Sequence, residues 1–168
     1  MTNRINFLFV TLFGIGKIKK IPGSIASLAT ILFLFFLFHI LNISPKVFLF
    51  ILIVIFFISL YAIHIFTKNL KHKDPKEVVI DEFIGQSIPI ILYELFHSNR
   101  FNSSTEALQI YFWFFLLFRL FDGLKPFPID YVDKRFKNTF GILFDDVLAG
   151  VYVVLCLILF MVGKTFLF

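Results

Sequence analysis

Three stretches of this chain, Ile25 to Asn42, Val47 to Thr67 and Val147 to Gly163, contain no Asp, Glu, Lys or Arg. Each is long enough to cross a hydrocarbon core about 30 Å thick at ~1.5 Å per helical residue. Their residues do not alternate between apolar and polar, as the roughly ten-residue strands of a transmembrane barrel must, so the spanning element is a helix. The rest of the composition agrees: 59% of the 168 residues are hydrophobic and 16% charged, with a mean hydropathy of +0.91, too apolar for a water-soluble domain of this size. The expected fold class is all-α, a polytopic membrane helix bundle forming a single domain over residues 1–168.

Five spans can be read, roughly 25–42, 47–66, 82–97, 107–124 and 146–166. The third carries Gln86, Ser87, Pro89 and Glu94, so it should be the most enclosed, with its polar groups turned to the bundle rather than to lipid. Ahead of the first span, Ile5 to Phe13 is too short to cross and is followed by Gly14-Ile15-Gly16-Lys17, not a small-residue cleavage site; an interfacial or half-inserted helix is expected. Lys and Arg partition sharply between loops. Arg4, Lys17, Lys19, Lys20, Lys68, Lys71, Lys73, Lys76, Arg119, Lys125, Lys134, Arg135 and Lys137 fall on one side, and only Lys46, Arg100 and Lys164 on the other. The positive-inside rule then puts the N-terminus, the 67–81 loop and the 125–145 loop in the cytoplasm. The charge of +5 is explained by this topology, and no nucleic-acid partner is implied.

With that topology, acidic residues gather at the cytoplasmic ends of helices: Asp81-Glu82 opening the third span, Asp122 closing the fourth, Asp145-Asp146 opening the fifth. Helix N-capping could account for the first and last pairs, but not for Asp122 near a C-terminus, where the dipole disfavours negative charge. Carboxylates crowded on one bilayer face are stabilised by a hard divalent cation, and Mg²⁺, which takes a few carboxylates and leaves positions for water and phosphate, suits a partly open cluster. Arg119 and Lys125 flank Asp122; they can pair with it or bind an anionic head group. Pro126 and Pro128 should end the fourth span and turn the chain along the interface. Gly14, Gly16, Pro22, Gly23, Ser24 and Ser27 form a turn leading into a helix N-terminus, where free N–H groups can hold phosphate. Ala149-Gly150 should let another helix come close to the Asp145-Asp146 level. The four histidines lack zinc spacing, and Cys156 lies within a span as a packing residue.

These motifs together, Gly14-x-Gly16 with Pro22-Gly23-Ser24 and Ser27, Asp81-Glu82-Phe83-Ile84-Gly85, Arg119-x-x-Asp122-x-x-Lys125-Pro126-x-Pro128-Ile129, and Gly141-Ile142-x-x-Asp145-Asp146-x-x-Ala149-Gly150, resemble the phosphatidylglycerophosphatase A family. The resemblance runs from about residue 7 to residue 155 in the same motif order. It departs in the first motif, where Lys19, Ser24 and Ala26 stand in place of the family's usual Pro, Thr and Gly; Ser24 keeps the hydroxyl. The resemblance implies an enzyme of the bacterial inner membrane whose cytoplasm-facing site removes the terminal phosphate of phosphatidylglycerophosphate with Mg²⁺, its substrate a phospholipid in the bilayer.

On that basis Glu82, Asp122 and Asp146, with Asp81 or Asp145 beside them, are expected to hold one or two Mg²⁺ ions, and Arg119, Lys125, Gly23, Ser24 and Ser27 to contact the substrate. Activated water and an aspartyl-phosphate on Asp145 or Asp146 are both consistent with this set. Nothing in the pattern specifies an oligomeric state. Three rival readings are weaker, one of them a non-catalytic membrane assembly protein, which would leave the acidic cluster unexplained. A CDP-alcohol phosphotransferase would need a second Asp where Arg119 stands, and an ion- or proton-coupled transporter would carry its acids near the midplane rather than at one interface.

Overall fold

The computed structural model describes residues 2–68, 75–97 and 104–167. Its helices are α1 (Thr2–Val10), α2 (Pro22–Phe35), α3 (Pro45–Thr67), α4 (Ile80–His97), α5 (Ser104–Leu124), α6 (Ile129–Arg135) and α7 (Thr139–Leu167), with no strand among the described residues. A 3-10 turn at Ile15–Lys17 precedes α2, and a π-turn at Phe36–Ile40 prolongs it. Lys71, His72, Lys73 and Arg100 lie outside the described residues.

Local chemistry sets the boundaries. Pro22 and Pro45 begin α2 and α3, where a missing N–H removes no helical hydrogen bond. The predicted stop at Pro126 holds: α5 ends at Leu124, and Lys125 adopts a left-handed φ of 45° while its N–H donates to Phe121 O at 2.8 Å. The last helix starts earlier than expected, at Thr139 rather than 146, because Asn138 caps it, its Oδ1 accepting from Gly141 N at 3.0 Å. Asp145 and Asp146 are therefore well inside α7, beyond the first turn, where capping cannot explain them.

Among the described residues, four segments are long and apolar enough to cross a membrane: Pro22–Ile40, Pro45–Thr67, Thr105–Leu124 and Thr139–Gly163. The outer face of α3 shows what surrounds them. Val47, Phe50, Val54, Phe57 and Tyr61, spaced by three or four residues, form an exposed apolar stripe that water would not tolerate and lipid would. The expected third span, α4, is less apolar but at 18 residues is about as long as the core is thick. It packs against α2, α3, α5 and α7, and buries Ile84, Gln86, Ser87, Ile90, Ile91 and Glu94, so it is indeed the enclosed helix. The nine-residue α1 is too short to span; it docks on α3 through Asn6 Nδ2, which donates to Ala62 O at 3.0 Å.

The crossing of α4 and α7, the most extensive helix pairing, positions everything that follows. Pro89 has no N–H to offer the Gly85 carbonyl four residues earlier. That carbonyl faces Gly150, where an added Cβ would strike it, while a Cβ on Gly85 would strike the Asp146 carbonyl. Two glycines thus let the backbones meet at the level of Asp146, as the Ala149-Gly150 pair led us to expect.

Candidate active site

One end of the bundle, where α2, α4 and α7 begin and α5 ends, opens into a cleft of about 920 Å³. Asp81 and Glu82 enter it from the first turn of α4, one turn before Gly85, and Asp146 enters from α7 at the glycine crossing. One oxygen from each of these three carboxylates lies within 4.8 Å of the others. Asp81 and Asp146 are buried. Three negative charges at that spacing, away from bulk water, repel strongly without a cation among them.

The donors fit a hard divalent ion. All three are carboxylates, and Glu82 Oε2 is buried without a hydrogen-bond partner, an acceptor with nothing to accept. The other oxygen, Glu82 Oε1, lies over Gly23 on α2, where any Cβ would clash with it and stand 3.5 Å from Arg119 Nη1. Gly23 therefore acts by lacking a side chain.

Cationic groups surround this cluster. Arg119 Nη1 stands 3.0 Å from Asp122 Oδ2, an ion pair by distance, yet buried and outside hydrogen-bonding geometry, so its N–H is not consumed by Asp122. Asp122 is within electrostatic reach of both Glu82 and Asp146. Lys125 Nζ donates to Asp145 Oδ2 at 2.9 Å and stands 3.3 Å from Asp133 Oδ1. Partial burial alone would lower the Lys125 pKa, but the hydrogen bond to Asp145 and the charges of Asp145 and Asp133 raise it above the ordinary lysine value.

Of the residues expected from sequence, Asp81, Glu82, Arg119, Asp122, Lys125, Asp145, Asp146, Gly23 and Ser24 all line the cleft. Ser27 does not: it is fully buried, and its hydroxyl donates to Gly23 O at 3.0 Å within its own helix. Of the set expected to hold Mg²⁺, Glu82, Asp122 and Asp146 with Asp81 or Asp145 beside them, Glu82 and Asp146 converge with Asp81, Asp122 stands beside Arg119 and within reach of Asp146, and Asp145 is held by Lys125. Sequence reasoning missed Asp133 on α6 as the second partner of Lys125; the signal was an acid in the short helix that the double-proline turn folds back over α7. Lys19 and Lys76 also reach the cleft. Far along α4, Tyr111 donates to Glu94 Oε1 at 2.6 Å and His39 Nε2 lies 3.3 Å from the same oxygen; this buried network ties α2, α4 and α5 and accords with a structural role for His39.

Comparison with known proteins places this geometry. The family model for Phosphatidylglycerophosphatase A matches residues 8–161. Phosphatidylglycerophosphatase A of Haemophilus influenzae is 36% identical over 155 residues, covering 92% of this chain and 87% of that protein. The Escherichia coli K12 protein of the same name is 29% identical over 140 residues, 83% of this chain and 73% of its own length. A putative phosphatidylinositol-3-phosphatase of Bacteroides thetaiotaomicron is 34% identical over 84 residues, 48% of this chain and 45% of that protein. No solved structure matches. With a family match over most of its length and its motifs gathered in one cleft, the chain belongs to the phosphatidylglycerophosphatase A family.

Proposed function

We propose that this chain hydrolyses the terminal phosphomonoester of phosphatidylglycerophosphate, releasing phosphatidylglycerol and phosphate, at the cytoplasmic face of the bacterial inner membrane. The observation that carries the reading is the convergence of Asp81, Glu82 and Asp146 beside Arg119 at one end of a membrane bundle, in a chain of this family. The Lys and Arg distribution supports a site that faces the cytoplasm. Asp81, Glu82 and Asp146, with Asp122 next to them, would hold Mg²⁺, which supplies charge neutralisation of the phosphate and a lowered pKa for water.

The chain's own residues account for the remaining requirements. Arg119 has an N–H free to orient a phosphate oxygen, and its guanidinium offsets charge that builds on the equatorial oxygens as water adds to phosphorus and the ester oxygen leaves. The attacking water leaves its hydroxide on phosphorus, and the proton it gives up goes to the leaving ester oxygen, which becomes the glycerol hydroxyl of the product. Lys125, pinned between Asp145 and Asp133, fixes the wall formed by α6 and α7 and keeps a positive charge at the cleft edge for the diester phosphate that stays with the lipid.

Phosphate release from phosphatidylglycerophosphate by purified protein in detergent tests the reading. Activity should vanish in EDTA and return with Mg²⁺. Release undiminished in EDTA would refute the metal assignment, and no release with any divalent ion would refute the reaction.

A further inference from the structure

A second hollow, about 340 Å³, lies between α1, α2, α3 and α4 and is separate from the carboxylate cleft. That size falls within the ~300–1,000 Å³ typical of small-ligand pockets. Phe9, Leu12, Phe13 and Ile15 form one side, Ala26, Ala29, Thr30 and Phe33 of α2 another, and Ile55, Ile80 and Phe83 close it. Thr30 is the one hydroxyl in the wall, and it is committed to Ala26 O at 2.8 Å. Any occupant must therefore bring no polar atoms. An extended peptide segment would carry backbone N–H and C=O groups with nothing to pair with, and about 340 Å³ is too small for a helix; a hydrocarbon chain carries no such groups.

The placement of the groove names the hydrocarbon. Ile80 and Phe83 bracket Asp81 and Glu82 on α4, and Ala26 follows Gly23 by three residues, about 4.5 Å farther along α2. The groove thus begins beside the cleft and continues along α2 from Ala26 to Phe33, reaching Ile55 in the middle of α3, the direction in which the tails of a lipid would run from a head group held in the cleft. Its floor is cut by small residues, Ala26 and Ala29. Its rim is held in an unusual backbone: Leu12 and Phe13 take left-handed φ values of 45° and 56°, disfavoured for such side chains, and Phe13 remains 87% exposed at the mouth.

We propose that this groove holds one acyl chain of the phospholipid substrate while the head group lies in the carboxylate cleft. The inference rests on the lipid phosphatase reading and adds to it a chain-length preference. Filling the floor with Ala29→Phe and removing the rim with Phe13→Ser are the perturbations, and Phe13 is exposed enough that its loss leaves the core intact. For each protein, kcat/KM is measured on dioleoyl and on dihexanoyl phosphatidylglycerophosphate in mixed micelles. The long-to-short ratio should fall about tenfold in Ala29→Phe and at least threefold in Phe13→Ser. If Ala29→Phe does not fold, Phe13→Ser decides alone. An unchanged ratio in the folded variants overturns the proposal.

A readout that needs no turnover separates the two readings. Phosphatidylglycerol carrying a diazirine in one acyl chain, diluted into phosphatidylcholine vesicles, should on illumination label peptides containing Phe9–Ile15 or Ala29–Phe33 in the parent, with at least a threefold loss in Phe13→Ser. Labelling with no hydrolysis of either substrate would keep the groove and sink the phosphatase. Hydrolysis with neither labelling of these segments nor a change in ratio would keep the phosphatase and sink the groove.

Discussion

Gly23→Ala offers a separation of stability from activity that the geometry makes sharp. A Cβ at position 23 would come well inside van der Waals contact with Glu82 Oε1 and stand 3.0 Å from Glu82 Cδ. What it meets is the end of a flexible side chain rather than backbone, so the fold absorbs it by swinging the carboxylate aside, and Ala in a helix recovers up to about 1 kcal/mol relative to Gly. The carboxylate has to move by about 1 Å, and a misplacement of that size at a reacting centre costs about 100-fold in rate, or ~2.7 kcal/mol of barrier. The assay is paired: thermal unfolding in detergent, and phosphate release titrated with Mg²⁺. We expect an unfolding temperature equal to or above the parent's, kcat/KM lower by about two orders of magnitude, and a higher Mg²⁺ concentration for half-maximal rate. Activity within threefold of the parent in a stably folded protein would refute the placement of Glu82 against Gly23. Loss of the fold would refute the claim that the side chain, not the backbone, yields.

Gly150→Ala should do the opposite, because its Cβ meets the Gly85 carbonyl and Ile88 Cβ and cannot be accommodated by a side-chain swing; overpacking at such a site costs about 1–3 kcal/mol, visible as a lower unfolding temperature. Lys125→Ala should lower kcat/KM about ten- to a hundred-fold, the loss of a charge-assisted contact, while leaving the Mg²⁺ titration midpoint in place; a shifted midpoint would place Lys125 with the metal ligands. Because its folded pKa is raised, the stabilisation Lys125 contributes is complete below the unfolded value near 10.5 and is lost only as pH rises through the higher folded value, so Lys125→Ala should flatten the alkaline limb of the stability curve and leave neutral pH dependence unaltered. Glu82→Gln should raise the Mg²⁺ requirement or abolish turnover. For topology, single cysteines at Lys134 and Ser44, in a Cys156→Ser background, should react with impermeant reagent from opposite sides of the membrane; reaction of both from outside would refute the orientation.

Much of this was legible because a bilayer leaves a chain few options. The uncharged blocks became α2 with its π-turn, α3 and the outer part of α7, and the polar interruptions at Gln86, Ser87 and Glu94 marked the helix that the others enclose. Hydropathy could not locate the start of α7, since it begins in the polar Asn138-Thr139 pair and runs through two carboxylates before the apolar block. A cap is a local hydrogen bond, whereas hydropathy averages over a window, and the window saw Asp145-Asp146 as an end.

That displaced boundary also explains why the sequence left open whether Asp81 or Asp145 stands with Glu82 and Asp146. Asp145 and Asp146 are neighbours in the chain, yet on a helix consecutive side chains diverge by about 100°. Asp146 turns to Asp81 and Glu82 across the glycine crossing, and Asp145 turns to Lys125. Had the pair stood at a frayed first turn, both could have swung to one ion; two turns into α7 they are fixed on different sides. Asp145 therefore belongs to the charged wall that Lys125 and Asp133 complete, and Asp146 to the converging carboxylates proposed to hold Mg²⁺. Asp145→Asn and Asp146→Asn should accordingly differ in kind. Asp146→Asn removes one of three converging carboxylates and should raise the Mg²⁺ needed for half-maximal rate or abolish turnover; Asp145→Asn leaves the three in place but frees one side of Lys125, so kcat/KM should fall with the Mg²⁺ midpoint unmoved. Identical Mg²⁺ titrations for the two variants would show that the helix does not divide their roles.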